Sequence, residues 1–190
     1  QEENVLVVQA DNSQQPNSRW YSGSGIYRNV WLVKTGQVHV DQYGTNITTP
    51  DVAQERATVV IETTLKNTHA AAVTAELTTI IKAPSGKVIA HTSLPVELPE
   101  NGSDIIKQTL EVKAPELWGI KNPALYTAVT EVRSGNQLTD RYETTFGIRT
   151  FRWDEATGFY LNGEPTKVLG VCLHHDLGCL GTAVNKRAIE

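Results

Sequence analysis

The chain has 190 residues, of which 39% are hydrophobic and 20% charged, with a formal net charge of -4; that is enough apolar content to bury a core without covalent staples. The acidic balance excludes the electrostatic footprint of a phosphate-backbone binder, and no apolar run approaches the roughly 20 residues of a membrane helix. The expectation is a soluble globular chain with neither a nucleic-acid partner nor a membrane span.

At the amino end, residues 5–8 (Val-Leu-Val-Val) and 27–33 are β-like but too few to close a domain. From residue 38 to 146 the chain reads as about seven strands separated by turn chemistry. The first covers 38–43. The second, 57–67, sets Val59, Ile61, Thr63 and Leu65 on one face against Val60, Glu62, Thr64 and Lys66 on the other, the period of a half-buried strand. The third, 72–82, repeats this with Val73, Ala75, Leu77, Thr79 and Ile81. Pro84-Ser85-Gly86-Lys87 turns the chain into a fourth strand over 88–98, and Pro99-Glu100-Asn101-Gly102 turns it into a fifth over 104–112. A sixth, 125–133, joins a seventh, 138–146, through Ser134-Gly135-Asn136, a hairpin signal. This pattern argues an all-β fold, an immunoglobulin-like antiparallel β-sandwich.

The pattern changes after Gly147. Phe159-Tyr160-Leu161-Asn162-Gly163 is a second hairpin signal, and 167–172, Lys-Val-Leu-Gly-Val-Cys, is apolar throughout after its opening lysine and contains a glycine. Continuous apolarity suits a strand buried on both faces, such as a parallel barrel strand, and the helix formers from about residue 184 then read as the first crossover. Methionine is absent, and the closing run Asn-Lys-Arg-Ala-Ile-Glu has no terminating glycine. Both ends are therefore expected to be interior points of a longer protein.

Cys172, His174, His175, Asp176 and Cys179 form the sharpest local cluster. Thiolates, imidazoles and a carboxylate are zinc ligands, but the spacing Cys-x-His-His-Asp-x-x-Cys is not a familiar zinc pattern and no second Cys/His pair follows. A structural reading, buried cysteines with hydrogen-bonded histidines, stands beside it. Asp11 reads as an Asx turn with Asn12 and Ser13.

Three segments in order carry a family resemblance. Arg19-Trp20-Tyr21-Ser22-Gly23-Ser24-Gly25-Ile26-Tyr27-Arg28-Asn29-Val30-Trp31-Leu32 resembles the closing signature of the amino-terminal jelly-roll domain of family 2 glycoside hydrolases. Pro115-Glu116-Leu117-Trp118 with Pro123-Ala124-Leu125-Tyr126 is similar to a pair inside that family's sandwich domain. The stretch from Phe146-Gly147-Ile148-Arg149, through Gly158-Phe159-Tyr160-Leu161-Asn162-Gly163-Glu164-Pro165, to Gly170-Val171-Cys172-Leu173-His174-His175-Asp176 resembles the start of its catalytic barrel. The structural reading makes Trp20 and Trp31 core anchors. It makes Trp118 and Tyr126 core or corner residues, with the Tyr126 hydroxyl bonded back to the chain as in immunoglobulin-like sandwiches.

The resemblance implies three parts: residues 1–35 as the end of a jelly-roll, 36–147 as the sandwich, and 148–190 as the start of a (β/α)8 barrel. It implies a parent that hydrolyses β-linked glycosides with retention, β-galactosides first, and that is a homo-oligomer. His174 falls on the histidine of the family's Gly-Val-x-x-His motif, at the carboxyl end of a barrel strand where such enzymes build their sites. His174 and Asp176 are accordingly expected to bind the sugar, and His175 falls where family members vary. Asp11 falls near an acidic residue that reaches the active site in the family's β-galactosidases. No cofactor is expected for this stretch and no metal on its own residues, while the parent takes a monovalent or magnesium cation near the sugar. The two catalytic glutamates of the family lie on later barrel strands, the acid/base directly after an asparagine, and no Asn-Glu pair occurs here. The competing class is a non-enzymatic immunoglobulin-like carbohydrate-binding or adhesion module.

Overall fold

The computed structural model describes residues 5–14, 25–26, 28–172, 177–183 and 185–190. Residues Lys34–Leu169 make one compact unit; the segments before and after them make a second.

The first unit is nearly all antiparallel β. Its strands are β1 (Val38–Val52), β2 (Arg56–Asn67), β3 (Val73–Lys82), β4 (Val88–Leu98), β5 (Ser103–Lys113), β6 (Tyr126–Ser134) and β7 (Gln137–Phe146). They divide into a three-stranded sheet ordered β1-β2-β5 and a four-stranded sheet ordered β4-β3-β6-β7. Six of the seven strands fall within a residue or two of where side-chain alternation puts them. The exception is β1, which runs nine residues past the expected stop at Tyr43. Tyr43 sits at φ 54, and a Cβ on Gly44 would come within 2.7 Å of the Asp41 carbonyl. The two residues form a bulge, so the register with β2 slips between Val40 and Thr45, and a separate slip follows between Thr48 and Asp51. Alternation is lost locally while the strand continues. On β4, an edge strand like β1, Pro95 stands opposite Glu76.

The sandwich interior is two apolar clusters separated by a polar layer. One holds Val59, Ile61, Ile81, Leu110, Tyr126 and Ile148; the other holds Val38, Leu65, Leu77, Leu98 and Val132. Between them, one inward position on each of four strands is polar and buried: Thr63, Thr79, Gln108 and Thr130. Thr79 donates to Gln108 Oε1 at 2.6 Å, and Gln108 Nε2 donates to the Leu77 carbonyl at 3.4 Å. The hydroxyls of Thr63 and Thr130 have no partner among the described residues. Each fully buried aliphatic side chain contributes roughly 1.5–3 kcal/mol, so the clusters hold the sheets together and the polar layer restricts how they mate.

The expected corner tyrosine is present. Tyr126 is 2% exposed and its hydroxyl accepts a bond from the Glu116 amide at 2.7 Å; burial is the main cause pushing its phenol above the ordinary value. Tyr126→Phe keeps the ring and takes the acceptor from the part-buried Glu116 bond, so it is expected to cost about 1 kcal/mol, read as a lower urea midpoint with an unchanged slope.

Below the sandwich, in the same unit, lies a small sheet of β8 (Phe151–Asp154), β9 (Gly158–Leu161) and β10 (Glu164–Pro165), ordered β10-β9-β8. Asn162 and Gly163 connect β9 to β10 with φ of 51 and 82, as a two-residue hairpin turn demands. Asp154 closes the other turn by accepting from the Ala156 and Thr157 amides at 3.1 and 2.8 Å.

In the second unit the expected strands were 5–8 and 27–33; the described residues 5–8 and 28–33 are not strands, and Trp31, expected as a core anchor, is 79% exposed. The run 167–172, whose first three residues belong to the first unit, is likewise not a strand, with Val168, Leu169 and Val171 exposed. A strand needs a ladder partner for its amides and carbonyls, and none of these segments has one among the described residues. A short helix does follow, Lys186–Ile189, capped by the Asn185 side chain accepting from the Ala188 amide.

Candidate functional site

Of the three sequence-nominated site residues, only Asp11 is described; His174 and Asp176, with His175, lie outside the described residues, as do residues 15–24. Asp11 is exposed and its Oδ1 accepts from the Ser13 amide at 2.9 Å. Hydrogen bonds from Ser13, hydroxyl before amide, hold its carboxyl below the ordinary carboxylate range. This is the Asx turn the sequence spelled, and it keeps the group ionised. Cys172 and Cys179 are both free thiols and both exposed, so the alternative of buried structural cysteines does not describe them. Among the described residues no three metal-ligating side chains converge, and no helix is long and apolar enough to cross a membrane.

A concavity lies elsewhere, on the β8–β9 hairpin and the corner loop. Strand alternation puts Phe151 and Trp153 on one face of β8, opposite Leu161 and Phe159 of β9, with the Trp153 and Phe159 rings 4.7 Å apart. The other face carries Arg152, whose guanidinium lies 3.6 Å over the Tyr160 ring. The aromatic face lines a groove of 760 Å³ together with Trp118, Ile120, Arg149, Val168 and Leu169.

Asn162 fixes this groove to the sandwich. Its Nδ2 donates to the Trp118 carbonyl at 2.9 Å, and its Oδ1 accepts from the Thr150 amide at 3.0 Å. The Trp118 amide in turn donates to the Ile148 carbonyl at 2.8 Å. Gly147 permits the approach, since a Cβ there would lie 2.8 Å from Trp118 Cβ, and Arg149 covers the indole at 5.1 Å. Thus the corner loop 115–123, the strand exit 147–150 and the hairpin turn are one clamped assembly. Sequence reasoning identified the hairpin and missed the groove. Its only signal was the alternation Phe-Arg-Trp-Asp at 151–154, too short to separate a packed face from an exposed one.

Comparison with known proteins places this geometry. Residues 38–149 match the family model described as glycosyl hydrolases family 2. A β-galactosidase of Bacteroides ovatus, BoGH2A, is 49% identical over 189 residues, covering 100% of this chain and 22% of the relative. A putative β-glucuronidase of Formosa agariphila is 36% identical, covering 96% and 17%. The chain thus spans about a fifth of the length of the curated relatives it matches. Among solved structures, a glycosyl hydrolase family 2 member from Bacteroides cellulosilyticus superimposes with a TM-score of 0.85 at 35% identity, over 94% of this chain and 24% of that one. Bacteroides uniformis β-glucuronidase 2, covalently bound to cyclophellitol-6-carboxylate aziridine, does so with a TM-score of 0.84 at 32% identity, over 94% and 23%.

Proposed function

Because this chain belongs to glycosyl hydrolases family 2, we propose that it is the scaffold portion of a retaining β-glycosidase acting on terminal β-linked sugars, with β-galactosides as the preferred substrate. The observation that carries the reading is the 49% identity, maintained along the whole chain, to a β-galactosidase. The covalent adduct in the B. uniformis relative supports a mechanism through a glycosyl-enzyme intermediate, in which one carboxyl group attacks and the other donates and then removes a proton. A β-glucuronide preference is the second reading, supported by the glucuronidases among the relatives. Assaying the full-length parent on nitrophenyl β-galactoside and β-glucuronide side by side separates the two: the galactoside is expected to have the higher kcat/KM, and the reverse order overturns the assignment.

In this reading residues 1–35 end a jelly-roll, 36–147 form the linker sandwich and 148–190 begin the barrel. The sandwich holds the corner loop and the hairpin through the Asn162 and Trp118 bonds. His174 and Asp176 serve as sugar binders and Asp11 as an auxiliary acidic group, while a monovalent or magnesium cation near the sugar belongs to the parent. An imidazole that bonds a sugar hydroxyl more tightly as the ring distorts lowers the barrier without holding the fold. In the parent, His174→Ala is therefore expected to lower kcat/KM by about tenfold, or ~1.4 kcal/mol, with the melting temperature nearly unchanged. The 190-residue chain by itself, without an Asn-Glu pair, is expected not to turn over nitrophenyl galactoside. Stability loss with retained activity in His174→Ala, or stoichiometric zinc, sinks the assignment.

A further inference from the structure

Two turns of this chain are built on the same reactive dipeptide. Asn-Gly occurs at Asn101-Gly102 and at Asn162-Gly163, and the fold calls for it in both places. Asn101 and Asn162 stand at φ 44 and 51, in the left-handed region that asparagine tolerates better than most residues. Gly163 is at φ 82, and a Cβ on Gly102 would come within 2.6 Å of Pro99 Cγ. A bulkier residue at either glycine is strained, so the lability of the pair comes with the turn.

The reaction is internal to the pair. The glycine amide nitrogen attacks the asparagine Cγ; a C–N bond forms, the Cγ–Nδ2 bond breaks and ammonia leaves, giving a cyclic succinimide. Water then adds at one ring carbonyl and opens the ring, leaving either aspartate or isoaspartate, with no oxidant or reductant involved. Glycine favours the attack because no Cβ crowds its nitrogen, and the asparagine side chain must swing over that nitrogen to within about 3–3.5 Å.

The two sites differ in what holds that side chain. Neither glycine amide makes a backbone hydrogen bond among the described residues, so the attacking nitrogens are equally free. Asn101 is exposed, and no hydrogen bond holds its carboxamide among the described residues. Asn162 is half-buried and engaged at both ends, its Nδ2 donating to the Trp118 carbonyl and its Oδ1 accepting from the Thr150 amide. Swinging Asn162 over Gly163 breaks both bonds, and each such bond lowers the reactive population by up to about tenfold.

We propose that Asn101 is a site of spontaneous covalent modification, converting to aspartate and isoaspartate as the protein ages, while the hairpin clamp shields the same dipeptide at 162–163. The conversion acts on one end of the sandwich. The Asn101 amide donates to the His69 carbonyl at 2.9 Å, and the Gly102 carbonyl accepts from the Asn67 amide at 2.8 Å. Isoaspartate inserts a methylene into the main chain between those two groups, so the pair of bonds cannot keep its geometry. The junction of the loop after β2 with the loop between β4 and β5 then loosens, and the turn that Asn162 fixes to the sandwich is spared.

Peptide mapping of the full-length parent by mass spectrometry tests the proposal, with samples taken as the protein stands at neutral pH and digested in acid, where cyclisation stops. The Asn101 peptide is expected to gain the mass of amide-to-acid conversion at least about tenfold faster than the Asn162 peptide, and to resolve into aspartate and isoaspartate forms on electron-transfer fragmentation. In urea the two rates should converge, because unfolding removes the clamp. Asn101 staying an amide in the native protein while converting in urea overturns the proposal. So does native conversion of Asn162 at the Asn101 rate, or a disparity that persists unchanged in urea, which assigns the difference to flanking sequence and not to the hydrogen bonds. Aspartate without isoaspartate overturns it as well, since direct hydrolysis gives that product alone.

Discussion

Replacing Asn67 with aspartate is expected to lower the stability of the sandwich by about 3 kcal/mol, more than either of the single-residue tests above. Asn67 is 0% exposed at the end of β2, where its Nδ2 donates to the Ala71 and Pro99 carbonyls at 2.9 Å each and its Oδ1 accepts from the His69 amide at 2.9 Å. One side chain therefore ties the loop after β2 to the loop between β4 and β5. Its own amide donates to the Gly102 carbonyl at 2.8 Å, within the same pair of loops. Aspartate has the same shape and keeps the bond from His69, but it turns both donors into acceptors facing carbonyl oxygens. Chemical denaturation followed by tryptophan fluorescence reads the change; a loss below about 1 kcal/mol removes Asn67 from its assigned role.

Gly147→Ala is the second large effect, expected at about 2–3 kcal/mol from overpacking. The new methyl group would sit 2.8 and 2.9 Å from Trp118 Cβ and Cγ. These atoms lie next to the backbone, so rotating the indole does not relieve the contact. Trp118 cannot retreat either, because its amide and carbonyl are bonded to Ile148 and Asn162. The expected result is a lower denaturation midpoint and loss of the hairpin's hydrogen-exchange protection before that of the sandwich. Combining Gly147→Ala with Trp118→Gly removes both Cβ and the indole that the new methyl group would meet, so the double change should cost less than the sum of the singles. Strict additivity would show that the contact does not govern the clamp.

The sandwich was legible because its signals are local. Inward positions on β2 and β3 can be read off as Val59, Ile61, Thr63, Leu65 and Ala75, Leu77, Thr79, Ile81, and the polar threonines among them do face inward. Tyr126 was legible for the same reason: a tyrosine opening a strand has few places for its hydroxyl to go. What was not legible depends on residues distant in sequence. At the Tyr43 bulge a Cβ on Gly44 would meet the Thr64 carbonyl across the sheet at 3.0 Å, the Asn67 ties reach 32 residues along the chain, and the Asn162 clamp reaches 44. The misjudged segments, 5–8, 28–33 and 167–172, have the composition of buried strands, and composition cannot supply the neighbouring strand that would bury them. Of the nominated site, Asp11 was readable as a turn, whereas its partners in the proposed sugar site were named by resemblance and not by physics.

The two register slips in β1 and the proline in β4 bear on synthesis as well as on shape. Each sheet ends in an open rim of amides and carbonyls that invites a stray strand from another chain. The Tyr43 bulge twists one rim away from straight pairing, Pro95 removes a donor from another, and Arg141 and Glu143 place charge along the β7 rim. A β-sandwich with rims of this kind is poorly suited to zippering with an exposed strand of another chain, so it can close on itself as it folds.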